Sequence, residues 1–305
     1  MTLKNENSSR KPKVTAVVTT YDRPKLLRRA IKSVVNQDYE NIECIVVDDC
    51  SPKREEEKIV KSFENEEIKY HRHEKNRGLS AARNTGIEKA SGNYISFLDD
   101  DDEWMSSKIE KQVNRFEELS EEFALVYCWM DYTDEESGKV VREYRPVHEG
   151  YIFPETLDGQ PIGAGSTLMV RKEVATEVKG FDESLPRGVD GDFIRRVCKN
   201  YKVSCVKEVL TKYTIGHGNK RITRNDKEGL KNAINGHKKK LEKFKLDLKK
   251  YPEKKRNISL KIAELSLSVK KYPQGLVYLV KSLMAFPFSM RTYSKILNLV
   301  KNRYI

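Results

Sequence analysis

The chain is predicted to be an α/β protein, with a mostly parallel sheet flanked by helices and a helical region behind it. Three observations carry this. Short β-branched apolar runs alternate with stretches of helical periodicity as far as Trp104, several of those runs end in acidic residues, and beyond Asn219 the pattern turns helical and lysine-rich. Alternation of this kind implies parallel pairing, because parallel neighbours need a crossover connection and the crossover is normally a helix.

The elements follow in order. VTAVVTT (14–20) reads as a buried strand that stops at YDRP. PKLLRRAIKSVVNQ (24–37) is a helix, with Leu27, Ala30, Ile31, Val34 and Val35 at helical spacing and Pro24 at its first position. IECIVVDD (42–49) is a second buried strand ending in two aspartates, EEEKIVKSFEN a short helix, and IKYHRH (68–73) a more polar strand. LSAARNTGIEKAS (79–91) reads as a helix, after which YISFLDDDDEW (94–104) begins as a strand and ends in acid. ALVYCWMDYTD (124–134) and STLMVRKEV (166–174) are further strands, the second running into a helix. The C-terminal stretch implies at least two helices broken near Pro273 and Pro287. Two domains are expected, residues 1–218 and a basic helical region 219–305.

Charge divides the chain in the same way. Of 305 residues with a net charge of +12, those from 219 to 305 hold 23 Lys and Arg against six Asp and Glu. The remainder is net −5. Such a run is either a solvated helical face or a surface for an anionic partner. Residues 231–256, punctuated by Leu241, Phe244, Leu246 and Leu248, read as a basic amphipathic helix suited to an anionic membrane. Residues 258–287 have the rhythm of a helical hairpin, fit for a small bundle or a homodimer contact. The five cysteines show no CxxC spacing, so no zinc site or disulfide framework is expected. The N-terminus lacks the apolar core of a secretory signal, and no uninterrupted apolar stretch is long enough to span a bilayer. The expected location is therefore cytoplasmic, peripheral at the membrane face.

In open α/β sheets ligands gather at the carboxyl ends of strands. Three predicted strands end there in chemistry-capable residues: Tyr21-Asp22, Asp48-Asp49 and Asp99 to Asp102. Four adjacent aspartates repel one another unless something offsets their charge. One reading is a solvated turn in which Asp99 caps a following helix. The other is a divalent cation, Mg2+ or Mn2+, which prefers hard oxygen ligands and bridges to phosphate. The apolar strand YISFL before the cluster and Trp104 after it favour the cation.

From Val14 to Gly218 the chain resembles glycosyltransferase family 2, inverting enzymes of the Rossmann-like GT-A fold. VTAVVTTYDRP is similar to the family's opening strand and loop, with Thr19 where a proline is usual. SVVNQDYENIECIVVDDCS (33–51) and NRGLSAARNTGIEKASGNYISFLDDDDEW (76–104) match its next two blocks, in order and at normal spacing. The resemblance implies transfer of a sugar from a nucleotide-sugar donor to a glycan or polyprenyl-linked acceptor. Thr19, Tyr21 and Asp49 would line the base pocket, Asp100 would face the ribose or the metal's water shell, and Asp101 would be the direct metal ligand. Arg83 would either steady the diphosphate or pair with an aspartate. His217 matches a position near the leaving phosphates and is the second expected metal residue.

An inverting transfer also needs a general base for the acceptor hydroxyl. RGVDGDFIRRV (187–197) is similar to the segment that supplies it, with Val189 where glutamate is usual. Asp190 is the expected base and Asp192 the alternative, while a helix-capping role would account for either residue alone. Gly163, Gly165 and Ser166 would let the acceptor approach the backbone. Three rival functions fit less well. A nucleic-acid-binding protein would explain the basic tail but not the aspartates. A sugar-nucleotide-binding protein without catalysis is suggested by Val189, and a polyprenyl-phosphate sugar synthase is the nearest enzyme alternative. A Rossmann dehydrogenase is excluded because no GxGxxG follows the first strand.

Overall fold

The computed structural model describes residues 11–216, 218 and 226–286. These fall into two compact units. The first comprises Met1–Tyr151, Ile162–Gly180 and Asn200–His217; the second comprises Ile152–Pro161, Phe181–Lys199 and Gly218–Ile305.

The first unit is an α/β sheet protein. Strands β1 (Val14–Thr20), β2 (Ile42–Asp48), β3 (Ile68–Arg72) and β4 (Tyr94–Asp99) pair in parallel in the order β3-β2-β1-β4. Every residue of β1 is buried, as a strand covered on both faces must be. Beyond β4 the sheet turns mixed. β8 (Leu168–Arg171) runs antiparallel to both β4 and β6 (Phe123–Asp134). β9 (Lys202–Ile215) pairs in parallel with β6 and antiparallel with the short β5 (Asp102–Trp104). β7 (Val140–Tyr144) hangs from β6 as a hairpin partner.

Helices α1 (Pro24–Val35), α2 (Glu55–Lys61), α3 (Leu79–Lys89) and α4 (Lys108–Glu117) provide the crossovers, and α6 (Lys172–Glu177) follows β8. In α1 Val35 is exposed and Leu26 is buried instead, whereas the rest of the face its spacing predicts is buried as Leu27, Ala30, Ile31 and Val34. These side chains join Val14, Val18, Val46, Leu98 and Phe116 in the main core. Packing in β2 also buries the carboxylate of Glu43. Glu43 accepts from Thr15 Oγ1 at 2.6 Å, from Ser91 N at 2.6 Å and from Lys69 Nζ at 2.9 Å. Burial alone would raise its pKa, yet these donors hold it down at about 2.

The second unit is helical: α5 (Phe153–Thr156), α7 (Val189–Cys198), α8 (Lys227–Lys243), α9 (Asp247–Lys250), α10 (Pro252–Ser268) and α11 (Tyr272–Ala285). The expected hairpin is α10 and α11, sealed by Leu260, Ala263 and Leu279, with Pro273 in the first turn of α11. A side chain at Gly275 would come within 2.5 Å of Leu267, so the crossing needs glycine there. No described helix is long and apolar enough to cross a membrane.

Three features differ from the sequence expectation. β7 and β9 were not anticipated. The single helix expected over 231–256 is instead α8, α9 and the start of α10, and Phe244 and Leu248 are buried inside the unit. The helical unit also takes Ile152–Pro161 and Phe181–Lys199 from within the expected first domain.

Candidate active site

The carboxyl ends of β1, β2 and β4 bring three loops together in the first unit, with Thr20 level with Asp48 and Thr19 level with Asp99. Two of the loops hold non-glycine residues in the left-handed region, Asp22 at φ 54° and Cys50 at φ 70°. Such conformations persist where surrounding bonds enforce them. Asp48 does this for the first pair of loops. Its Oδ1 accepts from Ser51 N and Oγ at 2.8 and 2.6 Å, its Oδ2 accepts from Tyr70 at 2.6 Å, and Ser51 Oγ accepts from Asp22 N at 2.9 Å.

Asp49, next in the chain, points to a different loop. Its Oδ1 is 2.7 Å from His73 Nδ1 and accepts from Arg77 N at 2.8 Å, while Oδ2 accepts from Gly78 N at 2.7 Å. It thereby fixes the entry to α3, where Gly78 has φ 90°. Three bonds still leave a carboxylate acceptor position, since its two oxygens offer about four. Thr19 is buried at the strand end, and the Tyr21 ring is 45% exposed.

The four aspartates have different sets of partners, with Arg23 shared by Asp100 and Asp101. Asp99 Oδ1 accepts from Arg83 Nη2 at 2.7 Å. Asp100 accepts from Thr20 Oγ1 at 2.8 Å and from Arg23 Nη1 at 3.0 Å, and the same Arg23 nitrogen lies 3.3 Å from Asp101 Oδ2. Burial pushes the Asp100 carboxyl up to about 7 against the pull of Arg23. Asp102, fully buried, accepts from Ser166 Oγ at 2.6 Å and from Thr214 N at 3.3 Å. Asp99, Asp101 and Asp102 each offer one carboxylate oxygen, all within 4.8 Å of one another. Asp101 is therefore in the potential ligand group and Asp100 is not among its members.

Ser166, Gly163 and Gly165, expected to let the acceptor approach the backbone, and Trp104 are instead tied to the aspartates and the loop that supports them. Ser166 Oγ donates to Asp102 and accepts from Asp99 N at 3.2 Å, and Trp104 Nε1 fixes the same loop through Ser166 O at 2.8 Å. Gly165 has a packing reason: a Cβ there would lie 2.5 Å from Arg83 Nη2. Gly163 is similar, its Cβ position falling 2.3 Å from Thr167 Oγ1. Arg23, in the loop after β1, had no motif to mark it as a partner of Asp100 and Asp101.

Asp190 and Asp192 lie in the second unit, in the first turn of α7. The helix is capped by Gly188 with no side-chain cap bond, so neither carboxylate is a cap. Asp190 is part-exposed, whereas Asp192 is buried and its Oδ2 accepts from Arg196 Nε at 2.8 Å and Lys243 Nζ at 2.9 Å. His217 lies outside the described residues.

The sequence profile of glycosyl transferase family 2 matches residues 15–178, which includes all three strand-end loops. The chain belongs to this family. It is a glycosyltransferase by that membership. It is 31% identical over 230 residues to the uncharacterized glycosyltransferase MJ1057 of Methanocaldococcus jannaschii, covering 72% of this chain and 77% of that one. It is 29% identical over 247 residues to WcaA of Escherichia coli K12, a glycosyl transferase named for colanic acid biosynthesis, covering 79% and 85%. It spans only 32% of the length of the Rickettsia bellii relative it matches.

The fold is shared with Staphylococcus aureus TarS 1-349 in complex with UDP-GlcNAc, at a TM-score of 0.66, 18% identity, and 90% and 81% coverage. It is also shared with the mannosyltransferase PcManGT of Pyrobaculum calidifontis, solved with GDP-Man and Mn2+, at a TM-score of 0.60, 15% identity, and 97% and 82% coverage.

Proposed function

We propose that this glycosyltransferase moves a sugar, with inversion, from a nucleoside-diphosphate-sugar to a hydroxyl of a cell-surface or polyprenyl-linked glycan. In this reading Mg2+ or Mn2+ is held at the aspartate cluster. The observation that carries it is the convergence of one oxygen each from Asp99, Asp101 and Asp102 within 4.8 Å at the end of β4. Three hard oxygen donors suit a small divalent cation whose other positions go to water and phosphate. When bound, the ion supplies positive charge opposite the departing diphosphate.

The chain's own groups divide the remaining work. Asp101 is the direct ligand. Arg83 orients the carboxylate of Asp99, and Ser166 and Thr214 orient that of Asp102. The exposed Tyr21 ring gives the nucleobase a face to lie against, with Thr19 beside it, and the spare acceptor position of Asp49 takes a base N–H. Asp100, held by Thr20 and Arg23, serves the ribose or the metal's water shell. On the acceptor side Asp190 takes the hydroxyl proton as the acceptor oxygen bonds to the anomeric carbon and the sugar–diphosphate bond breaks. The two cations on Asp192 support Asp190 over it as the base.

The nucleotide sugars in the two similar structures support this class of donor, and the name of WcaA supports a surface glycan as acceptor. The apolar side chains of Leu276, Val277, Val280 and Met284, exposed on α11, support peripheral contact with the cytoplasmic membrane face. A thermal-shift panel of nucleoside diphosphates and sugar nucleotides, with and without Mn2+, tests the donor reading. One nucleotide class should raise the melting temperature in a Mn2+-dependent way; no shift with any of them would count against it.

A further inference from the structure

The second unit contains a cavity of about 250 Å3 that the reading above does not use. It lies between the first turns of α7, the 158–160 loop and one face of α8. Its walls are opened by small residues: a Cβ at Gly236 would sit 2.8 Å from Arg187 O, and one at Gly191 would sit 3.1 Å from Gln160 Oε1. The space is several times the ~30 Å3 share of a single water.

Its lining is one-sided in charge. Arg187, Arg195, Lys239, Lys240 and Lys243 face it, against Asp158 and Asp192 alone. Both acids are already matched. Asp158 pairs with Lys254 at 3.0 Å, and Asp192 pairs with Arg196 and Lys243 at 2.8 and 2.9 Å. Arg195 is held in place by donating to Thr156 O at 2.7 Å and Gly159 O at 3.4 Å.

The Lys240 ammonium makes no hydrogen bond or ion pair among the described residues, and burial pushes it down to about 7. Beside it, Nδ1 of His237 is buried without a hydrogen-bond partner, and burial together with Lys240, Lys261, Arg195 and Arg187 pushes that imidazole down to about 3. Lys243 is shared by Asp182 and Asp192, and Arg187 and Lys239 donate to Gly229 O and Ser184 O, so the Lys240 ammonium is the one that an entering anion would relieve of its burial cost.

We propose that this cavity is a binding subsite for a phosphate group, in the form of a phosphate ester carried by the acceptor. Donors converge on it from α7, α8 and the 187 loop, which suits an oxyanion with oxygens directed to several sides. The assignment to the acceptor rests on the proposed transfer reaction, because the cavity borders the helix that carries Asp190. It narrows the acceptor class to glycans or lipid carriers that bear phosphate.

The test is calorimetry on the full chain without metal, titrating inorganic phosphate, glycerol 3-phosphate and acetate, with the His237 ring signals followed by NMR. One saturable site for the phosphates is expected, with the His237 signals moving in step. Lys240→Gln should weaken binding by about tenfold or more, the loss typical of a charge-assisted bond, and Lys240→Arg should restore it. Vesicles of phosphatidic acid in phosphatidylcholine, set against glycerol 3-phosphate, separate a lipid-borne phosphate from a soluble or glycan-borne one; binding of either supports the subsite.

Three results would overturn it: no saturable phosphate binding, equal binding by folded Lys240→Gln, or acetate binding as tightly as phosphate. Nucleotide binding with Mn2+ is measured in parallel. Its absence alongside intact phosphate binding would sink the donor reading and leave the subsite standing, and the converse pattern would do the opposite.

Discussion

In the first unit four consecutive aspartates end a strand, and the chain meets them with two guanidinium groups, two hydroxyls and a backbone amide. In the second, five lysines and arginines face a cavity whose only two acids are already paired. The first centre is organised to accept positive charge and the second to accept negative charge. The difference shows that the +17 of the C-terminal stretch is not simply a solvated surface, since Lys240 and His237 turn part of it inward. It also separates two kinds of aspartate. Asp99, Asp101 and Asp102 present oxygens to a common point, whereas Asp192 is locked by Arg196 and Lys243.

The largest expected effect lies at the acidic centre. Asp101→Ala should lower metal-dependent transfer by roughly 10³-fold or more, since a metal at the leaving group contributes several kcal/mol. A circular dichroism melt should show the fold retained, and unchanged turnover would remove Asp101 from the ligand set. Next in size is the proposed base. Asp190→Asn should cost about 10²–10⁴-fold in kcat with nucleotide binding intact. Asp192→Asn should instead chiefly lower the melting temperature, because it removes the buried carboxylate charge that Arg196 and Lys243 share. A reversal of those two outcomes would transfer the role to Asp192.

Smaller effects probe the supports of the acidic centre. Gly165→Ala forces a methyl group against Arg83 and should cost about 1–3 kcal/mol in chemical denaturation, with weakened Mn2+ affinity as Asp99 shifts. An unaltered Mn2+ affinity would detach Arg83 from the site.

Glu43→Gln, near the start of β2 and away from the strand end that carries Asp48, calibrates the structural background. The folded-state pKa of Glu43 lies below its ordinary value, at about 2, so its contribution is complete above 4.5 and fades as pH falls toward 2. The substitution should therefore cost about 2 kcal/mol at neutral pH, with the difference from the parent shrinking through that window. A difference that grows on acidification would contradict the assignment.

Much of the sheet was legible because its parallel strands are buried on both faces. Val14–Thr20 and Ile42–Asp48 are near-continuous apolar runs, and their acidic ends are as plain in the sequence as in the fold. β9 was not, because Lys207, Glu208 and Lys212 interrupt its alternation and bulges shift its register against β6. The helical unit was harder for another reason. Its membership is set by packing between segments far apart in the chain, so residues 152–161 and 181–199 join it although they precede residue 218.

At the site, the residue types and strand-end positions were legible, but the division of labour among four adjacent aspartates was not. That division depends on partners such as Arg23 and Ser166, which lie 77 and 64 residues from the aspartates they hold. Asp48 and Asp49 likewise look equivalent in the sequence, yet one bonds within the loops after β1 and β2 while the other fixes the entry to α3.

The central claim is that Asp99, Asp101 and Asp102 form one divalent-cation site serving a nucleoside diphosphate. Mn2+ titration followed by electron paramagnetic resonance, with the nucleoside diphosphate that gives the largest thermal shift, measures this directly. The account predicts one saturable Mn2+ site per chain that tightens when nucleotide is present and is lost in folded Asp101→Ala. Mn2+ binding that is equally tight in Asp101→Ala, or indifferent to nucleotide, would contradict it.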